Sequence, residues 1–211
     1  MAAVFLDLDG TLVDPKPGIT GAVIHALTQL GLTAPAPDDL EWVIGPPLQQ
    51  SFARLGVPDV DEALALYRER YSETGLFEAR VYDGVADALE ELQGAGHRLL
   101  LMTAKPHVFA KRITAHFRLD QYLQAQFGPE LDGTRQNKAD LLGYALAKTG
   151  IDKALAVMVG DRDHDRNAAL ANDVAFVAAL WGYGSGAELD GADRSCARPS
   201  DLPSTIAGLT G

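Results

Sequence analysis

Residues 3–11 read Ala-Val-Phe-Leu-Asp-Leu-Asp-Gly-Thr, a short apolar run that ends in two acids, a glycine and a hydroxyl. The pattern predicts a strand over 3–8 that stops at Asp9-Gly10-Thr11. An apolar run without polar alternation belongs to a strand covered on both faces, as in parallel sheets. Three further segments share the pattern: Arg98–Thr103, Ala154–Val159 and Val174–Ala178. Helical signatures lie between them. Asp83–Gln93 sets Val85, Ala88, Leu89 and Leu92 on one stripe ahead of Gly94 and Gly96. Pro106–Phe117 opens on a proline suited to a first helical position. Lys138–Thr149 follows Asn137, a good N-cap residue, and ends at Gly150. Strands alternating with helices predict an α/β fold on a doubly wound parallel sheet. The glycine-rich stretch Gly182–Gly191 reads as a surface loop.

One region breaks the alternation. Residues 15–80 hold no strand signal and three helical ones, at Thr20–Leu30, Pro47–Leu55 and Val60–Glu73. Pro35-Ala36-Pro37 and Gly45-Pro46-Pro47 divide them. The expected organisation is a core of residues 1–14 plus 81–211 and a small inserted helical domain of residues 15–80. Turn residues at Pro15–Pro17 and Tyr82-Asp83-Gly84 suit hinges. Ligands of open parallel sheets sit at the carboxyl ends of the strands, so an insertion after the first strand would act as a lid.

The 211 residues include 18 basic and 29 acidic side chains, a formal charge of −11, and 47% are hydrophobic. That length suits one sizeable domain carrying an insertion. Nucleic-acid binding draws on many Lys and Arg contacts to phosphate, so this acidic balance argues against such a partner. Cys196 is the only cysteine, which excludes an internal disulfide and fits a reducing compartment. The longest apolar run, Val174–Trp181, falls far short of the roughly 20 residues that span a bilayer. Met1-Ala2-Ala3 runs into Val4-Phe5-Leu6 without a basic stretch, so the expectation is no signal peptide and a cytoplasmic location.

Asp7 and Asp9 stand two apart at a strand end, where the period of two aims both carboxylates the same way. Two acids leaving so apolar a strand are costly to desolvate unless a cation or a proton relay compensates them. The Asp-Gly pair would equally serve as a turn or cap. Gly160-Asp161-Arg162-Asp163-His164-Asp165 ends another strand, with Asp161 and Asp165 on one side of a first helical turn. The helix dipole favours acids there by roughly 0.3–1 kcal/mol, which accounts for any one of them and less comfortably for three. Joined with Asp7 and Asp9, they form a set of hard oxygen ligands suited to Mg²⁺.

Thr103 ends the second strand and precedes Ala104-Lys105-Pro106 and a helix. A hydroxyl beside free backbone N–H groups makes an anion pocket; a plain N-cap is the other reading. Lys138 falls in a first helical turn, where a cation opposes the dipole. It reads either as a solvated surface lysine or as a fixed counter-charge for a bound anion. His25, His97, His107, His116 and His164 show no metal-binding spacing. His164 alone lies near the acids and is expected to be exposed and dispensable.

The order Asp7-Leu8-Asp9-Gly10-Thr11-Leu12-Val13-Asp14, then Thr103, then Lys138, then Gly160-Asp161 with Asp165 resembles the haloacid dehalogenase-like hydrolase superfamily. The match runs nearly the whole chain and includes all four superfamily motifs. Thr103-Ala104-Lys105-Pro106 and Leu131-Asp132-Gly133-Thr134-Arg135 are most similar to the branch of phosphoglycolate phosphatases and related 5′-nucleotidases. The resemblance implies a Rossmannoid core with a small helical cap, and a Mg²⁺-dependent phosphatase acting on a small-molecule phosphomonoester as a monomer or homodimer. It implies that Asp7 is the nucleophile, forming an aspartyl-phosphate. Asp9 would protonate the leaving alcohol and then deprotonate water. Asp7, the Asp9 backbone carbonyl and Asp161 would bind Mg²⁺, with Asp165 as a further ligand or just behind, while Thr103 and Lys138 would hold the phosphoryl oxygens.

Asp9 discriminates within the superfamily, because the dehalogenases that name it lack this second acid and the ion-pumping relatives carry threonine there. Two residues depart from the common pattern: Ala104 stands where Ser or Asn is frequent, and Asn172 where glycine is. Candidate substrate contacts are Gly45 of the Gly45-Pro46-Pro47 loop, Arg54, Ala104, Lys105 and Arg135; each cation would equally be a solvated surface charge. Trp42 and Phe52 would stack on a base or fill the core of the insertion. A phosphosugar mutase would share the same core and differ in its acceptor. A non-catalytic phosphate- or nucleotide-sensing module would have lost Asp7, Asp9 or Lys138, and all three are present.

Overall fold

The computed structural model describes residues 1–210. Six parallel strands form one sheet: β1 (Ala3–Leu6), β4 (Arg98–Met102), β5 (Ala125–Phe127), β6 (Ala156–Gly160), β7 (Ala175–Ala179) and β8 (Arg194–Cys196). Their order across the sheet is β5-β4-β1-β6-β7-β8. The register decides what meets at one edge. Leu6 stands opposite Leu101 of β4 on one side and Val159 of β6 on the other, so the carboxyl ends of the three central strands finish level. Asp7, Thr103 and Asp161 therefore emerge along a single edge, the one where open parallel sheets bind ligands.

Continuous apolar sequence places these strands in the middle of the molecule. Every residue of β1 and β6 is buried. One face packs Phe5, Leu100, Met102 and Met158 against Leu141, Leu142 and Ala145 of α6 (Lys138–Thr149) and Ala168 and Ala169 of α7 (Asp163–Ala171). Burying a side chain of that size contributes about 1.5–3 kcal/mol. Around the sheet stand α4 (Val85–Gly94), α5 (His107–His116) and α9 (Leu202–Thr210). The start of α6 is fixed by Asn137, whose Oδ1 accepts the backbone N–H groups of Ala139 at 2.8 Å and Asp140 at 3.2 Å. Its end is fixed by Gly150 at φ 65°, so Lys138 is the first residue of the helix.

Residues Pro15–Arg80 form a second compact unit. It comprises α1 (Lys16–Gln29), a 3₁₀ segment (Pro37–Val43), α2 (Leu48–Arg54), α3 (Val60–Arg70) and a π turn (Tyr71–Gly75). Phe52 is fully buried there and meets the Tyr67 ring edge-on at 6.3 Å, while Tyr67 stacks on Tyr71 at 5.1 Å. Phe52 is thus core of this unit. Two short strands, β2 (Val13–Asp14) and β3 (Arg80–Val81), pair where the chain leaves the sheet-bearing unit and returns to it.

Several boundaries differ from the sequence expectation. The β1 ladder ends at Leu6, because Leu8 already turns the chain. The first helix begins at Lys16, tolerating Pro17 in its first turn, where the missing N–H costs no hydrogen bond. β5 and β8 were not expected, and the glycine-rich stretch contains a short helix, α8 (Gly186–Leu189). Among the described residues, no helix is long and apolar enough to cross a membrane.

Candidate active site

Asp7 continues the line of β1, its N–H donating to Val159 O at 2.9 Å. The chain then wraps tightly: Leu8 O accepts from the N–H groups of Thr11, Leu12 and Val13. Gly10 sits at φ 82°, in the left-handed region, and a Cβ there would overlap the Asp161 carboxylate. Glycine is required on both counts, and its absence of side chain lets the tip of β6 close against the tip of β1.

The centre is a buried acid cluster around one lysine. Lys138 Nζ lies 2.7 Å from Asp7 Oδ1 and also touches Asp165 Oδ1, with only 3% of its side chain exposed. The reading of Lys138 as a solvated surface residue is therefore wrong: the first turn of α6 points it inward. Asp165 is fully buried, and its Oδ2 accepts the Arg162 N–H at 3.0 Å, closing the first turn of α7. A Cβ on Gly160 would overlap Asp165, which explains the glycine that ends β6. Asp161 is held from two sides. Thr11 Oγ1 donates to its Oδ1 at 3.2 Å, and the Tyr183 N–H donates to its Oδ2 at 2.7 Å.

That last bond places Tyr183, in the glycine-rich stretch expected to be a surface loop, against the site. Trp181 Nε1 donates to Thr11 O at 3.0 Å, and the Tyr183 hydroxyl donates to Asp14 Oδ1. A Cβ on Gly182 would overlap the Asp161 side chain, and one on Gly184 would overlap its backbone carbonyl. Trp181–Gly184 straps the two aspartate-bearing tips together. The legible signal was the pair of glycines alternating with a tryptophan and a tyrosine, both carrying donors.

Thr103 is buried at the end of β4, its Oγ1 accepting the Lys105 N–H at 3.1 Å. Ala104 is half-buried beside it. Lys105 is not a free surface cation: its Nζ lies 2.8 Å from Asp9 Oδ2, and 6% of its side chain is exposed. Arg135 instead pairs with Glu130 at 2.8 Å and lies 4.8 Å over the Tyr144 ring. Gly45 and Arg54 belong to the helical unit, where the Arg54 guanidinium stacks 4.1 Å over Trp42. His164 is a correction. It is partly buried, with Nε2 3.9 Å from Asp165 Oδ1, because the first turn of α7 folds it over the cluster.

Burial is the main force on these charges. It pushes the Asp7 carboxyl up to about 8; Lys138 pulls it back, while Asp165 and Asp161 push it further. Asp161 is raised to about 7, by burial first and then by Asp165. Burial alone would lower Lys138, but Asp165 and Asp7 hold it above the ordinary lysine value. Burial pushes His164 down, which keeps a ring nitrogen available as a donor atom.

Ionised Asp7, Asp161 and Asp165 carry two more negative charges than Lys138 supplies, in a site from which water is largely excluded. Such an excess is costly without a cation. Asp7, His164 and Asp165 offer donor atoms within 4.8 Å of one another. Asp9 takes part differently, because its carboxylate turns to Lys105. The donor chemistry fits a hard divalent ion.

The family model described as haloacid dehalogenase-like hydrolase matches residues 4–179. The chain belongs to that family. Among similar proteins, a 5′-nucleotidase of Pseudomonas aeruginosa is 45% identical over 189 residues, covering 88% of this chain and 86% of that protein. The tyrosine-protein kinase PtkA of Mycobacterium tuberculosis is 37% identical over 182 residues, covering 86% of this chain and 62% of that protein. A crystal structure described as a predicted phosphatase from Clostridium acetobutylicum matches with a TM-score of 0.91 and 35% identity, covering 98% of each chain.

Proposed function

We propose that this family member is a Mg²⁺-dependent phosphatase that hydrolyses a small phosphomonoester through an aspartyl-phosphate on Asp7. The observation that supports it best is the buried contact of Lys138 with Asp7 and Asp165, level with Thr103 and Asp161. It sets one carboxylate at the strand tip with a fixed counter-charge beside it.

An Asp7 oxygen attacks phosphorus; the P–O bond to the leaving group breaks with its electron pair on oxygen, and Asp9 gives that oxygen a proton. Asp9 then takes a proton from water as the water oxygen attacks phosphorus, releasing orthophosphate and restoring Asp7. Lys138 and the Thr103 hydroxyl stabilise the phosphoryl oxygens as charge moves among them. Asp7, the Asp9 backbone carbonyl and Asp161, with Asp165 behind them, would hold Mg²⁺, which screens the carboxylate from the phosphate dianion. Magnitudes require this division of labour. Phosphate-monoester hydrolysis is accelerated by up to ~10²¹-fold, about 29 kcal/mol at 1.36 kcal/mol per decade. Proton transfer supplies only roughly 10²–10⁴ of it.

Similarity to a 5′-nucleotidase at 45% identity favours a nucleoside 5′-monophosphate over phosphoglycolate. The test is orthophosphate release from a panel of metabolite phosphates with Mg²⁺ against an EDTA control. Release to water from a nucleoside monophosphate is the expected result. Transfer only to an added acceptor hydroxyl would make the protein a phosphotransferase such as a mutase, and no release from any ester would overturn the reading.

A further inference from the structure

Asp9 is unevenly partnered. Its Oδ2 lies 2.8 Å from Lys105 Nζ, whereas its Oδ1 is buried and makes no hydrogen bond among the described residues. Buried polar atoms without partners are rare in folded proteins, and one on an acid at a strand tip marks a functional position.

Lys105 is itself held rigidly. Its N–H donates to Thr103 Oγ1 at 3.1 Å. Pro106 follows it and disfavours helical backbone at Lys105. Its carbonyl runs so close to Gly128 that a Cβ there would stand 2.7 Å away, and only glycine accommodates that approach. A flexible four-carbon stem that ends 94% buried is not behaving as a solvated surface lysine.

We infer that Lys105 is a positioning residue for Asp9, clamping Oδ2 so that Oδ1 faces the leaving oxygen as the proton-exchanging atom. This rests on the phosphatase reading. The clamp serves both halves of the reaction. In the first, the Oδ1–H bond breaks and an O–H bond forms on the departing alcohol, while the ammonium donates to the carbonyl-like Oδ2. In the second, Oδ1 takes a proton from the attacking water and the ammonium donates to the carboxylate. Lys105 exchanges no proton in either half and needs no contact with the substrate.

The test compares two esters in Mg²⁺. An alkyl phosphate has a poor leaving group that needs protonation, and 4-nitrophenyl phosphate has a good one that scarcely does. The reported quantity is kcat/KM, which reads the steps through phosphoryl transfer to Asp7. For K105M, of similar length but neutral, the loss on the alkyl ester is expected to be about 100-fold, toward the lower end of what proton transfer contributes, and the loss on the nitrophenyl ester less than about tenfold. K105R restores most of the alkyl-ester rate. In a D9N background, K105M leaves the alkyl-to-nitrophenyl ratio unchanged, because the group being positioned is gone. K105Q gives the same ratio should the methionine variant not fold. Equal losses on both esters, or a loss that persists in full in the D9N background, would overturn the inference while leaving the phosphatase reading intact. So would a rise in KM confined to esters bearing a carboxylate, which would make Lys105 a substrate contact. Wild-type protein inert toward every ester would overturn both.

Discussion

If the acid cluster holds Mg²⁺ as proposed, the stabilisation the ion supplies depends on pH in a calculable way. Asp7 is raised from 3.8 to about 8 and Asp161 from 3.8 to about 7. Over that window the ion-free folded protein retains protons that the unfolded chain has shed. Stability of the ion-free form therefore falls as pH rises from about 4 toward 7–8. A divalent ion binds the deprotonated carboxylates and must displace those protons. One displaced proton makes the Mg²⁺ stabilisation grow by about 1.4 kcal/mol per pH unit, or about 3 kcal/mol between pH 5 and pH 7. Asp7 and Asp161 together raise this toward about 5 kcal/mol, an upper bound because the two acids repel each other. The assay is urea unfolding at pH 5, 6 and 7, each in EDTA and in fixed excess Mg²⁺, subtracting the two at every pH. Subtraction matters, because burial lowers His97 and His107, and such groups gain stability as pH rises. Those two histidines cancel in the difference. A Mg²⁺ increment that is flat from pH 5 to pH 7, or that shrinks, would refute the account of a buried acid cluster that exchanges protons for a cation.

Two further outcomes follow from packing. G184A drives a Cβ into the Asp161 carbonyl, where backbone cannot yield, so it should cost at least about 1–3 kcal/mol in unfolding experiments. It should also weaken Mg²⁺ binding in titration calorimetry; wild-type affinity in G184A would show that the strap does not position Asp161. N137A removes the cap that fixes where α6 begins and should cost about 1 kcal/mol. Its kcat should fall as well, since Lys138 is the next residue; unchanged turnover would show that the cap is dispensable to the site.

The central strands were legible because Val4-Phe5-Leu6 and Val157-Met158-Val159 are unbroken apolar runs, and burial on both faces leaves no other use for them. The ends of α6 were legible because Asn137 and Gly150 act locally. β5 and β8 were not: Ala125-Gln126-Phe127 and Arg194-Ser195-Cys196 are three residues long and only partly buried, so their pairing comes from the neighbouring strand rather than from their own pattern. The same division runs through the site. Asp7, Asp9, Asp161 and Asp165 announce themselves as acids where apolar strands end. The environments of Lys105 and Lys138 do not, because each is set by a carboxylate far away in sequence, 96 and 131 residues distant respectively. The glycines of Trp181–Gly184 were legible as flexible backbone. Their actual reason, the missing Cβ against Asp161, exists only once the strand tips meet.

The central claim is that an oxygen of Asp7 takes the phosphoryl group. The most direct measurement mixes the protein rapidly with Mg²⁺ and 4-nitrophenyl phosphate, quenches in acid during the first turnover and maps the peptides by mass. The account predicts one added phosphoryl group on the peptide that carries Asp7, and none in D7N, which should also be inactive while folding normally. Turnover that proceeds with no phosphorylated Asp7, or with the group on another residue, would contradict it.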